Sequence, residues 1–348
     1  MSLVINRVST VVARLPVVGR GVRASSHHHQ GAAMSSPIPD AVEVAVIGAG
    51  PAGLTAALVL GRQKRTVVLV DSSQPRNAPA TEMHMYLGLD GRSPKDLRRT
   101  GMEEVAGHPN VEIVHSTVTG IEVTGPDTPV SLATSDGRSF LAERLLVTAG
   151  VRDDVSGIPG VVERFGQGVY HCPFCHGHEV DGRRLAVLTD APENPAQPGL
   201  QAVYLATHFS RDVTLLTNGH PVPDEIRETL ARNGVGLEHR PVTELGGTDG
   251  ALTVSVGDEE LTFGAVFHTP REQPRDSVLG LDLETEGAHI LVDWQQRTSD
   301  PRVFAAGDCA RRRDDPVPLA FVARAVAAGQ AAGLWIDQDL FRAQAGLG

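Results

Sequence analysis

The stretch Gly48-Ala49-Gly50-Pro51-Ala52-Gly53 restricts this chain more than any other. It follows a short apolar run, Val44-Ala45-Val46-Ile47, read as a buried parallel strand, and it opens an Ala/Leu-rich helix from Leu54 to Leu60. A second apolar run, Thr66 to Val70, ends in Asp71, 18 residues past Gly53. Strand, glycine turn, helix, strand and acid in this order have a mechanical meaning. Gly48 makes the turn, Gly50 lets the backbone approach a pyrophosphate, and Gly53 lets the helix pack on the strand. Pro51 and Ala52 start the helix, so its N-terminus faces the phosphates, and Asp71 can accept hydrogen bonds from a ribose diol. The chain is expected to bind a dinucleotide.

A second constraint lies mid-chain, in His171-Cys172-Pro173-Phe174-Cys175-His176-Gly177-His178, with Glu179 next. Two cysteines at this spacing can close a small disulfide ring, and one thiol of such a pair usually has a lowered pKa because the thiolate is the nucleophile. The histidines can hold or pass a proton near neutral pH. Half a zinc site and an incidental pair are the competing readings. Zinc would need two more ligands; a second Cys-x-x-Cys is absent, and His176 and His178 are too close in sequence to wrap a tetrahedral ion readily. We read a redox dithiol and no metal.

Near the end of the chain, Val303-Phe304-Ala305-Ala306-Gly307-Asp308 is an apolar strand ending in Gly-Asp, followed by an Ala-rich helix from Phe321 to Trp335. It resembles the strand with which flavoproteins of the two-dinucleotide-domain type close their FAD site. There the Asp contacts the ribityl chain and the helix points its N-terminus at the flavin. Leu145 to Gly150, containing Thr148, resembles the strand that leaves their FAD domain. With the dithiol between these signatures, the chain resembles the low-molecular-weight thioredoxin reductase family from Val44 to Asp337.

The resemblance implies an α/β fold of two dinucleotide-binding, Rossmann-like domains, the second inserted in the first. The FAD-binding domain would be 41–150 and 281–348, and the dithiol-bearing domain 151–280. It also implies FAD as cofactor, Cys175 against the flavin and Cys172 as the thiol that exchanges with substrate. Both thiols are expected to have depressed pKa values. One feature of the reductases is missing. The strand Arg184 to Leu188 should run into a second glycine fingerprint for NADPH, but meets Thr189 to Gly199, with three prolines and two acids. Prolines donate no amide hydrogen, and Asp190 and Glu193 would repel a pyrophosphate. The nucleotide site of this domain is therefore expected to be degenerate.

Without a hydride donor, electrons would enter through sulfur. The chain resembles the thioredoxin-reductase-like dithiol oxidases that close the disulfides of holomycin and gliotoxin, whose Cys-Pro-x-Cys-His-Gly pattern is matched by Cys172 to Gly177. Arg76-Asn77 matches that subfamily's Arg-Asn, and Met83 to Gly91 its flavin-side loop, which would set His84 at the flavin. The implied reaction oxidises a small-molecule dithiol, with molecular oxygen as acceptor and hydrogen peroxide as by-product, in an antibiotic-type biosynthesis. His176 is the expected general base, with His171 and His178 as competitors. The alternatives are a thioredoxin-disulfide reductase fed by NADPH or another donor, and a non-enzymatic flavin redox sensor.

A net charge of −11 argues against nucleic acid and anionic membrane as partners, and no run of 18 apolar residues is present. Three cysteines, two of them in one motif, suggest a reducing, cytoplasmic compartment. A homodimer is expected from the resemblance. Residues 1–40 read as a disordered extension, with four arginines and His27-His28-His29. Cys309 reads as a small buried hydrophobe, Arg311-Arg312-Arg313 as a solvated loop with internal ion pairs, and Leu252 to Phe267 as a hairpin.

Overall fold

The computed structural model describes residues 40–125, 128–190, 194–278 and 280–347. The expected extension, with its His27-His28-His29 run, lies outside the described residues except for Asp40. From there the strand β1 (Ala41–Ile47), helix α1 (Pro51–Arg62), β2 (Val67–Val70), α2 (Pro94–Ala106) and β3 (Val111–Val114) alternate. A meander of β4 (Val118–Glu122), β5 (Val130–Thr134) and β6 (Ser139–Val147) then brings β6 back beside β1. The order is β3-β2-β1-β6-β5-β4, parallel from β3 to β6.

The apolar runs have no polar alternation because both faces of this sheet are covered. Val44, Val46, Val67, Leu69 and Leu146 pack into one core beneath α1 and the C-terminal helix. Their neighbours Ala45, Ile47, Val68, Val70, Leu145 and Val147 pack into a second core on the opposite face.

After β7 (Val151–Asp154) and a short α3 (Val161–Arg164), a second sheet begins with β8 (Val169–Tyr170), followed by the single turn α4 (Pro173–His176). It continues through β9 (Leu185–Leu188), α5 (Gln197–His208), β10 (Val213–Leu216), α6 (Asp224–Arg232) and β11 (Gly236–Glu238). An antiparallel trio follows, β12 (Val242–Thr248), β13 (Ala251–Val256) and β14 (Glu259–Phe263), and β15 (Ala265–Phe267) returns to the parallel sheet. The parallel order is β11-β10-β9-β15-β8. β16 (Arg271–Pro274) then pairs antiparallel with β7, placing Glu272 opposite Asp153.

The last segment holds β17 (Thr285–Glu286), β18 (His289–Val292), β19 (Val303–Ala305), β20 (Ala310–Arg312) and α7 (Val322–Gln344). β19 pairs with β6, so the second sheet is inserted within the chain that makes the first. α7 lies on α1 through small residues: a Cβ on Gly329 would stand 2.1 Å from the Ala52 carbonyl oxygen. Among the described residues no helix is long and apolar enough to cross a membrane.

Three local expectations are corrected. Arg311 and Arg312 belong to β20, paired with β18, and are not a loop. Arg311 pairs with Glu286 at 2.5 Å and Arg313 with Glu284, both from neighbouring segments, while Arg312 pairs with Asp314 as the internal ion pair expected. α5 opens at Gln197, within the 189–199 stretch, because a proline fits the first turn of a helix where its amide is not needed. The Leu252–Phe267 hairpin closes at Phe263, since the fully buried Ala265–Phe267 needs the parallel sheet on both sides. The terminal helix continues past Trp335 to Gln344, held by Arg65 to Asp337 and by Arg144 and Arg297 to Asp339.

Candidate active site

A cavity of 1620 Å³ runs from the glycine turn after β1 to the dithiol after β8. Gly48, Gly50, Pro51, Ala52 and Asp71 line one end, and Thr148, Gly150, Arg76, Asn77, Gly307 and Asp308 line its flank. Cys172, Cys175, His171 and His176 line the far wall. Gly53 lies beneath the turn: a Cβ there would be 1.9 Å from the Gly48 carbonyl oxygen.

These residues fit FAD. A Cβ on Gly50 would meet nothing within 4 Å, so the backbone faces open space where a pyrophosphate can approach. α1 begins there with no side-chain cap, leaving its first amides for an anion. Thr148 donates to the Ile47 and Gly48 carbonyls, both at 2.8 Å, and so holds the turn. Asp71 is busier than expected. Its Oδ1 accepts from the Ala49 amide at 3.1 Å, and its Oδ2 accepts from Ser73 at 3.1 Å and from Arg98. A carboxylate offers about four acceptor positions, which leaves capacity for a ribose diol. Arg98 was not legible from the sequence; it arrives from α2.

Arg76 is the hub of the cavity flank. It meets Asp153 and Glu272 at 2.6 Å each and Asp308 at 3.2 Å. Glu272 also faces His289 Nε2 at 3.2 Å. Burial pushes the Glu272 carboxyl up, but the hydrogen bond from His289 and the charge of Arg76 outweigh it and hold its pKa at about 2. Asp308 goes the other way: burial pushes it up, and the nearby Glu272 and Asp153 add to that against Arg76. The partners Asp153 and Glu272 come from the β7–β16 ribbon, whose register no local motif announces.

Cys172 caps α4, accepting on its carbonyl the amides of Cys175 at 3.1 Å and His176 at 3.2 Å. Pro173 opens the turn, and Gly177 ends it where a Cβ would be 2.4 Å from the Phe209 ring. Both cysteines are free and partly buried. They do not share the expected low pKa. The hydrogen bond from Cys175, with the Cys175 and Phe174 amides, lowers Cys172 to about 7 despite its burial. That same bond, together with burial, raises Cys175. One proton leaves a coupled pair readily and the second is held.

His176 stacks on Tyr170, with centroids 4.3 Å apart at 14°. Burial lowers its pKa, opposed by the charge of Glu179. His171 is likewise lowered by burial, with Arg76 and His268 lowering it further and Asp153 and Glu272 opposing. His178 is exposed, away from the cavity lining. His84 does not line the cavity; its ring stands edge-on to His176, with centroids 6.4 Å apart. Tyr170, His268 and Gln201, which donates to the His171 carbonyl at 2.9 Å, complete this wall and were missed. Tyr170, two residues before Cys172, was the one with a sequence signal. Cys309 is buried against the Val147 and Ala306 carbonyls, and burial raises its thiol to about 11.

In the inserted sheet, Asp190 accepts a hydrogen bond from Ser156 at 2.5 Å, just beyond β9. Among the described residues no group of three or more His, Cys, Asp and Glu side chains could hold a metal ion.

The model of a family described as pyridine nucleotide-disulphide oxidoreductase matches residues 42–188 and 199–330. Thioredoxin reductase sirT of Leptosphaeria maculans is 31% identical over 315 residues, 86% of this chain and 94% of the relative. Thioredoxin reductase tcpT of Claviceps purpurea is 29% identical, over 86% of this chain and 94% of the relative. Among solved structures, HlmI matches with a TM-score of 0.80 at 35% identity, over 88% of this chain and 94% of that one. A thioredoxin reductase from Streptococcus pyogenes matches with a TM-score of 0.76 at 26% identity, over 87% of this chain and 99% of that one.

Proposed function

The chain belongs to the pyridine nucleotide-disulphide oxidoreductase family as an FAD-dependent thiol/disulfide oxidoreductase, and we propose that it oxidises a small-molecule dithiol to an intramolecular disulfide, with oxygen as acceptor and hydrogen peroxide as by-product. The observation that carries this reading is the segment after β9. Residues 189–198, where a reductase would hold NADPH, contain three prolines, two acids and no glycine and fall between the two stretches matched by the family model. The similarity to HlmI and to sirT, together with the Cys172–Gly177 pattern, supports the dithiol as reductant.

In the proposed cycle the resting pair is the Cys172–Cys175 disulfide. A substrate thiol loses its proton to His176 and its sulfur bonds to Cys172, breaking the internal disulfide; Cys175 leaves as thiolate. The raised pKa of Cys175 belongs to the reduced pair, where Cys172 carries the charge, and that opposition is gone once Cys172 is in the mixed disulfide. The second substrate thiol gives its proton to the Cys175 thiolate and attacks the sulfur of its own neighbour in the mixed disulfide, releasing the cyclic disulfide and the Cys172 thiolate. Bound FAD supplies the two-electron acceptor that restores the pair and the connection to oxygen. The sum is one dithiol and one O₂ giving one disulfide and one H₂O₂. His171 stands as the alternative base. Asp71, Arg76, Asn77, Thr148, Gly150, Gly307 and Asp308 are assigned to the FAD site, with the FAD-binding domain at 41–150 and 281–348 and the dithiol domain at 151–280. The working assembly is a homodimer.

Oxygen uptake by the purified holoenzyme with small dithiols, with and without NADPH, tests the reading. Uptake and peroxide with dithiol alone are expected, with no NADPH consumption. Anaerobic bleaching by NADPH would return the chain to the reductases.

A further inference from the structure

Two imidazoles beside the dithiol each hold a buried ring nitrogen that bonds to nothing: His176 Nδ1 and His84 Nε2. Their rings meet at 84° with centroids 6.4 Å apart, a separation that suits one bridging water better than a direct bond. His84 is held in place. Its neighbour Met83 bonds to Arg92 through its amide at 2.8 Å, and the Met85 amide donates to Asp90 Oδ1 at 2.8 Å.

The surroundings of His84 grade outward. Its Nε2 side faces Glu179 at 3.5 Å and Glu82 at 3.7 Å, and its Nδ1 side faces Asp90 at 3.6 Å, contacts too long to be strong hydrogen bonds. Its side chain is 14% exposed, that of Glu179 32%, and those of Glu82 and Asp90 56% and 69%. On the inner side His176 feels Glu179, His84 and Asp249, with the Tyr170 ring stacked on it. Asp249 itself accepts from Tyr170 and pairs with Arg183, both at 3.3 Å.

We propose that His84 is the second station of a proton path, in which the proton taken from the substrate thiol by His176 is given up at Nδ1, crosses a bridging water to His84 Nε2, and leaves from Nδ1 to solvent beside Asp90. Glu179 is the positioning residue that keeps the first imidazolium formed close to a negative charge. The inference rests on His176 being the base. The substrate S–H bond is broken, after which only N–H and O–H bonds are made and broken, and a neutral imidazole is restored after each passage.

The test uses the FAD-loaded enzyme with dithiothreitol, in anaerobic stopped flow from pH 6 to 9 in H₂O and D₂O. His84→Asn is expected to slow thiol oxidation at least about tenfold at pH 7, with recovery on added imidazole. Its Cys172 should react with iodoacetamide as in the parent. Glu179→Gln should move the acid limb of the profile to lower pH, because removing the carboxylate weakens the hold of His176 on a proton. If both variants keep the parent rate, pH profile and isotope effect while His176→Asn is slow, the path is wrong and the base stands. If His176→Asn also behaves as the parent, the base assignment fails and the path goes with it.

Discussion

At Cys172 a thiol of ordinary pKa is brought to about 7 by three donors: the Cys175 thiol and the amides of Cys175 and Phe174. Its nucleophilicity thus depends on the partner and on the turn, and hardly on a neighbouring cation. Iodoacetamide alkylation of the reduced enzyme should rise with a midpoint near pH 7, and Cys175→Ala should move that midpoint up. An unchanged midpoint in that variant would assign the shift to the α4 amides alone. The paired cysteines were legible because the spacing itself carries the chemistry. The split between them was not, since it depends on which sulfur sits at the cap of a one-turn helix. His84 shows the same limit: the sequence offered a loop histidine, and only the fold sets it against His176.

Among the elements, α1 and α7 decide whether the cofactor end of the cavity keeps its shape. They cross where Gly329 faces the Ala52 carbonyl and Gly333 faces Val59, with no room for a Cβ at the first. Gly329→Val should cost at least about 2 kcal/mol, because backbone rather than a flexible side chain must move. The displacement reaches Ala52 in the first turn of α1, so thermal denaturation and FAD retention should fall together. A variant that lost neither would mean that α7 can slide freely. The glycine turn and the α1 packing on β1 were readable because each glycine answers a local clash. The α1–α7 crossing was not, since its partners are hundreds of residues apart.

Across the whole molecule, Arg76 ties the β7–β16 ribbon to Asp308 on the first sheet's side of the cavity. One cation faces three carboxylates, so its removal leaves buried like charges opposed. Arg76→Ala should lower stability by about 3 kcal/mol at pH 7, read by thermal denaturation. The pH dependence has two signs. Glu272, held at about 2, stabilises fully above its ordinary value of 4.5, and that contribution is lost as pH falls toward 2. Asp308, raised by burial, favours the folded state when it takes up a proton. The deficit of Arg76→Ala should therefore shrink between pH 7 and pH 4 as the carboxylates neutralise; a deficit constant with pH would exclude this account.

By itself the sequence determined the glycine turn, the alternation of strand and helix, the Gly307-Asp308 strand end and the dithiol, all features whose physics acts within a few residues. Only the tertiary structure decided the Arg76 hub, the unequal thiols and the His176–His84 pair. Charges and imidazoles act through space over a few ångströms, and those distances are set by sheet register and chain return rather than by sequence spacing.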